Sequence, residues 1–218
     1  LQSKGVVRLR VLLVFPPARD ASKPPIGISY VSSFLRQKGH QAEVLDLTAE
    51  PLSEEELQTK IDNFHTYDCV GISAIITAYN FVKKFSRIVR EKHPELPIIV
   101  GNGISISCPE TLLKNSEVDV IVIDEGELTT AELVENINDR KNYKNIKGIW
   151  YKDDDGNIHQ TAFRERITDL DSLPFPAWDL INIPLYMKHA GPFLDRGLRT
   201  GWISAVRGCP FSCRYCSR

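Results

Sequence analysis

The chain has 218 residues, a length that fits one to two domains. Its 42% hydrophobic and 25% charged residues are ordinary globular values, which exclude disordered, collagen-like and coiled-coil chains. With 27 Lys and Arg against 28 Asp and Glu, the formal charge of -1 leaves no electrostatic footprint for nucleic acid or an anionic membrane surface.

No apolar run approaches the roughly 18 residues that span a bilayer. Leu1–Gly5 lacks the apolar core of a secretory signal, so a cytoplasmic location is expected. The single methionine is Met187, and the chain stops two residues after a dense cysteine cluster, so it reads as a fragment of a longer protein.

Residues 8 to 138 alternate between strand and helix. Apolar runs at Leu9–Phe15, Ala42–Leu47, Cys69–Ser73, Ile98–Val100 and Val118–Ile123 predict five strands. Between them, helical periodicity predicts helices over 27–38, 53–64, 79–92, 109–115 and 127–138. Lys38-Gly39 is a helix stop, Ser53-Glu-Glu-Glu56 a capping box, and Pro94 ends the third helix. Short apolar strands separated by helices imply an α/β fold with a doubly wound parallel sheet, for which five strands favour a flavodoxin-like order. Such sheets bind ligands at the carboxyl ends of their strands.

After residue 140 the pattern changes. Ile146–Lys152 and Ile158–Phe163 flank Asp153–Asn157 and predict a β-hairpin. A proline-punctuated stretch, Leu173-Pro-Phe-Pro-Ala-Trp178 with further prolines at 184 and 192, predicts an extended connector without long helices. Gly201–Val206 reads as a short buried strand leading into the cysteines. Expected units are therefore 1–140, a sheet domain; 141–199, hairpin and connector; and 200–218, the start of a further domain.

Of five cysteines, Cys69 and Cys108 stand alone and read as packing residues. Cys209, Cys213 and Cys216 are spaced C-x3-C-x2-C on one loop, a set of soft ligands suited to an iron–sulfur cluster or to zinc. Zinc in a structural site calls for a fourth ligand, and the nearest upstream histidine is His189.

With Tyr215 before its third cysteine, this motif resembles the signature of radical S-adenosylmethionine enzymes. The resemblance implies a [4Fe–4S] cluster on Cys209, Cys213 and Cys216, S-adenosylmethionine as cosubstrate, and residues 201–206 as the first strand of a partial (β/α) barrel. A doubly wound domain ahead of such a motif is similar to the cobalamin-binding subclass. The matching loops are Phe15-Pro16-Pro17, Pro25-Ile26-Gly27-Ile28-Ser-Tyr30, Gly71-Ile-Ser73-Ala74, Gly101-Asn102-Gly103 and Asp124-Glu125-Gly126-Glu127. Asn102 interrupts the double glycine that the subclass usually shows. The resemblance implies cobalamin contacts from Pro16, Pro17, Ile26, Gly27, Tyr30, Ser73, Ala74, Gly101, Asn102, Gly103, Glu125, Gly126 and Glu127. It also implies methyl transfer or radical rearrangement in the intact protein, on an unknown substrate. Many cobalamin domains carry Asp-x-His-x-x-Gly after the first strand. Ala18–Lys23 contains no histidine, so the expected cobalamin is base-off without a histidine on cobalt.

Plainer roles stand beside these. Gly101–Ile106 follows the fourth strand and ends in Ile, unlike a dinucleotide fingerprint, and no P-loop is present. Glu127 suits a helix N-terminus, and Trp178 and Trp202 suit packing. Gly208 suits a tight turn, and Arg207 the orientation of the cysteine loop or a bound anion. A flavodoxin-like flavin-binding or sensing module and a zinc-stapled interaction domain are the alternative functions.

Overall fold

The computed structural model describes residues 7–18, 22–189, 201–209, 211, 213 and 214. Strands β1 (Arg10–Phe15), β2 (Gln41–Asp46), β3 (Cys69–Ser73), β4 (Ile98–Gly101) and β5 (Val120–Val122) form where the five apolar runs lie. They pair in parallel in the order β2-β1-β3-β4-β5, the flavodoxin-like arrangement. The winding direction reverses between β1 and β3.

The hairpin is a continuation of this sheet. Strand β6 (Ile149–Lys152) pairs antiparallel with β5, and β7 (Ile158–Gln160) with β6, giving seven strands. Burial explains the attachment: Ile149 and Tyr151 point one way and join the core beside Tyr143, whereas a lone hairpin has no face to bury. Asp153 folds the turn by accepting the N–H groups of Asp155 and Asn157, and Gly156 supplies the positive φ of 82°.

Helices cover both faces. On one side lie α1 (Ile26–Gln37) and α6 (Gly126–Glu135); on the other lie α2 (Glu54–Asp62), α3 (Tyr79–Lys92), the single turn α4 (Ile104–Ser107) and α5 (Pro109–Asn115). Helix α3 buries Val82, Phe85, Ile88 and Val89, each stabilising by about 2 kcal/mol at the usual value per buried side chain. The predicted stops and starts operate as read. Gly39, with φ 93°, donates to Arg36 O while His40 N–H reaches Leu35 O, a Schellman closure of α1. Ser53 and Glu56 exchange bonds as a capping box at α2.

The connector is docked. Ala177 N–H donates to Ser29 O, Arg36 pairs with Asp179, and a short helix α7 (Ile183–His189) sends the Tyr186 hydroxyl to Asp46 at 2.6 Å. Residues 201–206, expected as a buried strand, form none: Ile203 and Val206 are 83% and 77% exposed. A strand needs a ladder partner on at least one side, and no edge of the described sheet meets this segment. No helix among the described residues is long and apolar enough to cross a membrane.

His40 is buried at the amino end of β2. Its Nδ1 accepts the Leu9 N–H at 3.4 Å, and Nε2 has no hydrogen-bond partner among the described residues. Burial lowers its pKa, against the opposing charges of Glu135 and Asp68. The unfolded chain therefore takes up a proton first as pH falls. His40 contributes stability above the ordinary histidine range near about 6.5, and that contribution is lost as pH drops below it. Urea midpoints measured from pH 7.5 to 5 should fall for the native chain. They should fall less for His40→Asn, which keeps an acceptor for Leu9 and removes the titration; parallel curves would refute this.

Candidate corrinoid site

A cavity of about 380 Å³ opens at the carboxyl ends of β1, β3, β4 and β5, beside the winding reversal. Its floor is apolar: Leu13, Gly71, Ile72, Ile99 and Val122. One wall is the start of α1, with Ile26, Gly27, Ile28, Tyr30 and Val31. The other is the start of α6, with Glu125, Gly126, Glu127 and Thr130, and the rim carries Ser73, Gly101, Asn102, Asp124, Ser204 and Arg207.

Small residues keep the floor low. A Cβ at Gly71 would lie 2.7 Å from Leu13 Cδ2, while one at Gly27 would meet nothing within 4 Å. Asn102 holds φ 72°, the left-handed region where asparagine is among the few tolerated side chains. The position interrupting the double glycine thus keeps a glycine-like backbone. The Asn102 amide also donates to Ser73 Oγ at 3.2 Å, tying the ends of β3 and β4. Asp124 turns the chain similarly after β5, with φ 58°.

Nine of the expected contact residues line this one cavity: Ile26, Gly27, Tyr30, Ser73, Gly101, Asn102, Glu125, Gly126 and Glu127. Four do not. Pro16 is buried, its carbonyl accepting Thr48 Oγ1, and Pro17 faces solvent. Ala74 is packed into the opposite core, and Gly103 sits against Ile75. Tyr215 and Cys216 lie outside the described residues.

Two of the carboxylates are already engaged. Glu125 accepts the Ile167 N–H at 2.7 Å, and Glu127, 4% exposed, accepts Arg207 at 2.5 Å. The Arg207 guanidinium lies over the Tyr30 ring, 4.8 Å from its centroid. Burial opposes its charge, yet the bond to Glu127 and the nearby Glu125 raise its pKa, so it is a fixed cation. Sequence reasoning passed over Leu13, Ile72, Ile99 and Val122 because each read as one apolar residue in a fully buried strand. Arg207 lies 80 residues beyond Glu127, and only its closeness to Cys209 marked it; nothing in the sequence marked Ser204.

Cys209 and Cys213 are exposed and border two further cavities of about 510 and 570 Å³. The first shares Asp124, Glu125 and Arg207 with the cavity of about 380 Å³, so the cysteine loop adjoins it. Cys69 is fully buried, and burial pushes its thiol up to about 12, an inert packing residue. Among the described residues no group of three metal-ligating side chains converges. No described histidine lines the cavity; His93 bonds Ile61 O and His159 bonds Asp153.

The model of the B12 binding domain matches residues 20–134, more than half of the chain, from the loop after β1 into α6. The chain belongs to the B12-binding domain family. It is 30% identical over 217 residues to the uncharacterized methyltransferase PH0819 of Pyrococcus horikoshii, covering 96% of this chain and 45% of that protein. It is 27% identical to the anaerobic magnesium-protoporphyrin IX monomethyl ester cyclase of Rubrivivax gelatinosus, covering 96% and 39%. The chain thus spans less than half of these relatives. The cobalamin-dependent S-adenosylmethionine radical enzyme OxsB with aqua-cobalamin bound shares the fold, with a TM-score of 0.69 at 20% identity over 84% of this chain and 26% of that one.

Proposed function

We propose that the chain is the corrinoid-binding part of a cobalamin-dependent radical S-adenosylmethionine enzyme, with residues 1–140 holding the corrin, 141–199 connecting, and 200–218 opening the radical domain. The observation that carries this is the open carboxyl edge of the sheet: a glycine-lowered apolar floor between two helix starts, with the cysteine loop on its rim. A flat ring with an apolar face and polar edges suits such a site, since ligand pockets are concave, mostly apolar and edged by a few polar groups. When bound, the corrin supplies a cobalt centre for methyl or radical chemistry, and a three-cysteine cluster supplies the electron that cleaves S-adenosylmethionine.

The chain's own residues do the rest. Leu13, Ile72, Ile99 and Val122 would exclude water from the ring face that rests on the floor. Ile26, Ile28 and Tyr30 wall one side, and the Asn102 and Ser73 side chains offer polar contacts at the rim. No histidine lies in Ala18–Lys23, so this stretch would supply no ligand in place of the nucleotide base, and base-off binding is the state that the resemblance implies. Cys209, Cys213 and Cys216 offer three thiolates at C-x3-C-x2-C spacing, a soft ligand set suited to a cluster that keeps one iron open. The methyltransferase named among the relatives favours methyl transfer, and the cyclase extends the class to other radical reactions. The substrate would be met by residues beyond those described.

The test is anaerobic titration with hydroxocobalamin followed by gel filtration and visible spectroscopy. Corrin absorbance co-eluting one-to-one with the protein is expected. A chain that passes the corrin unbound, or that retains flavin, would overturn the proposal. Stoichiometric zinc without iron after iron–sulfide reconstitution would overturn its cluster.

A further inference from the structure

Residues 201–209 lie beside the cavity, lining it with Ser204 and Arg207, without belonging to the sheet, and two of their side chains tie them down. Trp202 packs on the core, and Arg207 reaches into the cavity wall. The Arg207 contact has two parts: its guanidinium donates to Glu127 at 2.5 Å and covers the ring of Tyr30. The pair is shielded, with side-chain exposures of 20% for Arg207 and 5% for Glu127. Withdrawing Arg207 would strand a buried carboxylate, so the segment is either latched or must pay to resolvate Glu127. Glu127 and Tyr30 are themselves walls of the cavity. Two residues beyond Arg207 stands Cys209, after the turn that Gly208 makes at φ 76°.

We propose that Arg207 is a positioning residue that couples occupancy of the cavity to placement of the cysteine loop. This deepens the corrinoid reading of the site and rests on it. A ligand that touches Tyr30, Glu127 and Arg207 together binds the latched arrangement better than the released one. By reciprocity, the latch raises ligand affinity by the same factor by which the ligand favours the latch. Bringing Cys209 to one defined place beside the occupied cavity is then a consequence of ligand binding.

The experiment uses the full chain as native protein, Arg207→Met and Arg207→Lys. Limited chymotrypsin digestion after Trp202 is followed by mass spectrometry, with and without hydroxocobalamin. Without ligand, Arg207→Met should be cut at Trp202 about tenfold faster or more, since cleavage follows the population of the open form. Cutting at core sites such as Phe85 should be unchanged, which general destabilisation would not allow. Arg207→Lys, keeping a cation for Glu127, should restore much of the protection. Hydroxocobalamin should slow the Trp202 cut in the native chain but not in Arg207→Met, whose affinity for it should fall about fivefold or more.

Equal cutting of the free proteins, ligand protection by the same factor in both, or faster cutting on ligand addition would each overturn the coupling. If the native chain does not bind hydroxocobalamin at all, the corrinoid reading fails and the coupling with it. Binding with equal protection defeats the coupling alone.

Discussion

Gly71→Ala is expected to weaken hydroxocobalamin binding by about tenfold or more, the usual effect of one misplaced methyl in an apolar pocket, while the domain stays folded. The added Cβ would stand 2.7 Å from Leu13 Cδ2, so Leu13 must move. Leu13 is a floor residue of the cavity and is otherwise packed into the core, which leaves the cavity as its free direction. Overpacking of this kind costs about 1–3 kcal/mol. It is offset by about 0.4–1 kcal/mol because alanine restricts the unfolded chain, and Gly71 needs no positive φ. A net loss on the order of 1 kcal/mol in urea unfolding, beside a large loss of affinity in the same preparation, is the signature to seek. Native-like affinity would mean that the ligand does not rest on this floor.

Asp119→Ala should behave in the opposite way. Asp119 lies at the amino end of β5, across the sheet from the cavity, and is 8% exposed. One carboxylate oxygen accepts Arg90 at 2.5 Å and the Ile98 N–H at 2.8 Å; the other accepts Arg140 at 3.3 Å. It pins α3 and the chain after α6 to the entry of two strands. Removing one partner of a buried pair costs about 3–5 kcal/mol. Arg90 retains the Pro94, Leu96 and Glu117 carbonyls, so the low end, about 3 kcal/mol, is expected. That is a large share of a domain stability of about 5–15 kcal/mol. Asp119→Asn keeps an acceptor for Ile98 and should recover about 1 kcal/mol. Below the unfolding midpoint the corrinoid affinity should be native. A stability loss under about 1 kcal/mol, or a matching loss of affinity, would show that this account of the amino edge is wrong.

The two variants separate what holds the sheet together from what the sheet holds, and the same division runs through the legibility of the chain. Strand and helix positions could be read locally. Gly39, the Ser53–Glu56 box and Pro94 act within a turn of their own position, and the five apolar runs are buried wherever the strands go. The loops that carry the cavity rim were legible through the family resemblance, and nine of the contacts it implied line the cavity. Residues 201–206 misled because an apolar run says that burial is favourable and does not say that a ladder partner exists.

By itself, then, the sequence determined the alternation of elements, the turns that close them and the chemistry of the loops that end the strands. Tertiary structure alone decided the strand order, the joining of the hairpin to β5, which side of each strand faces the cavity, and the meeting of Arg207 with Glu127 and Tyr30. The physical reason is range. Capping, turn conformation and hydrophobic period are set by neighbours a few residues apart, whereas a floor of alternate strand residues and an ion pair 80 residues apart in sequence exist only after the chain has packed.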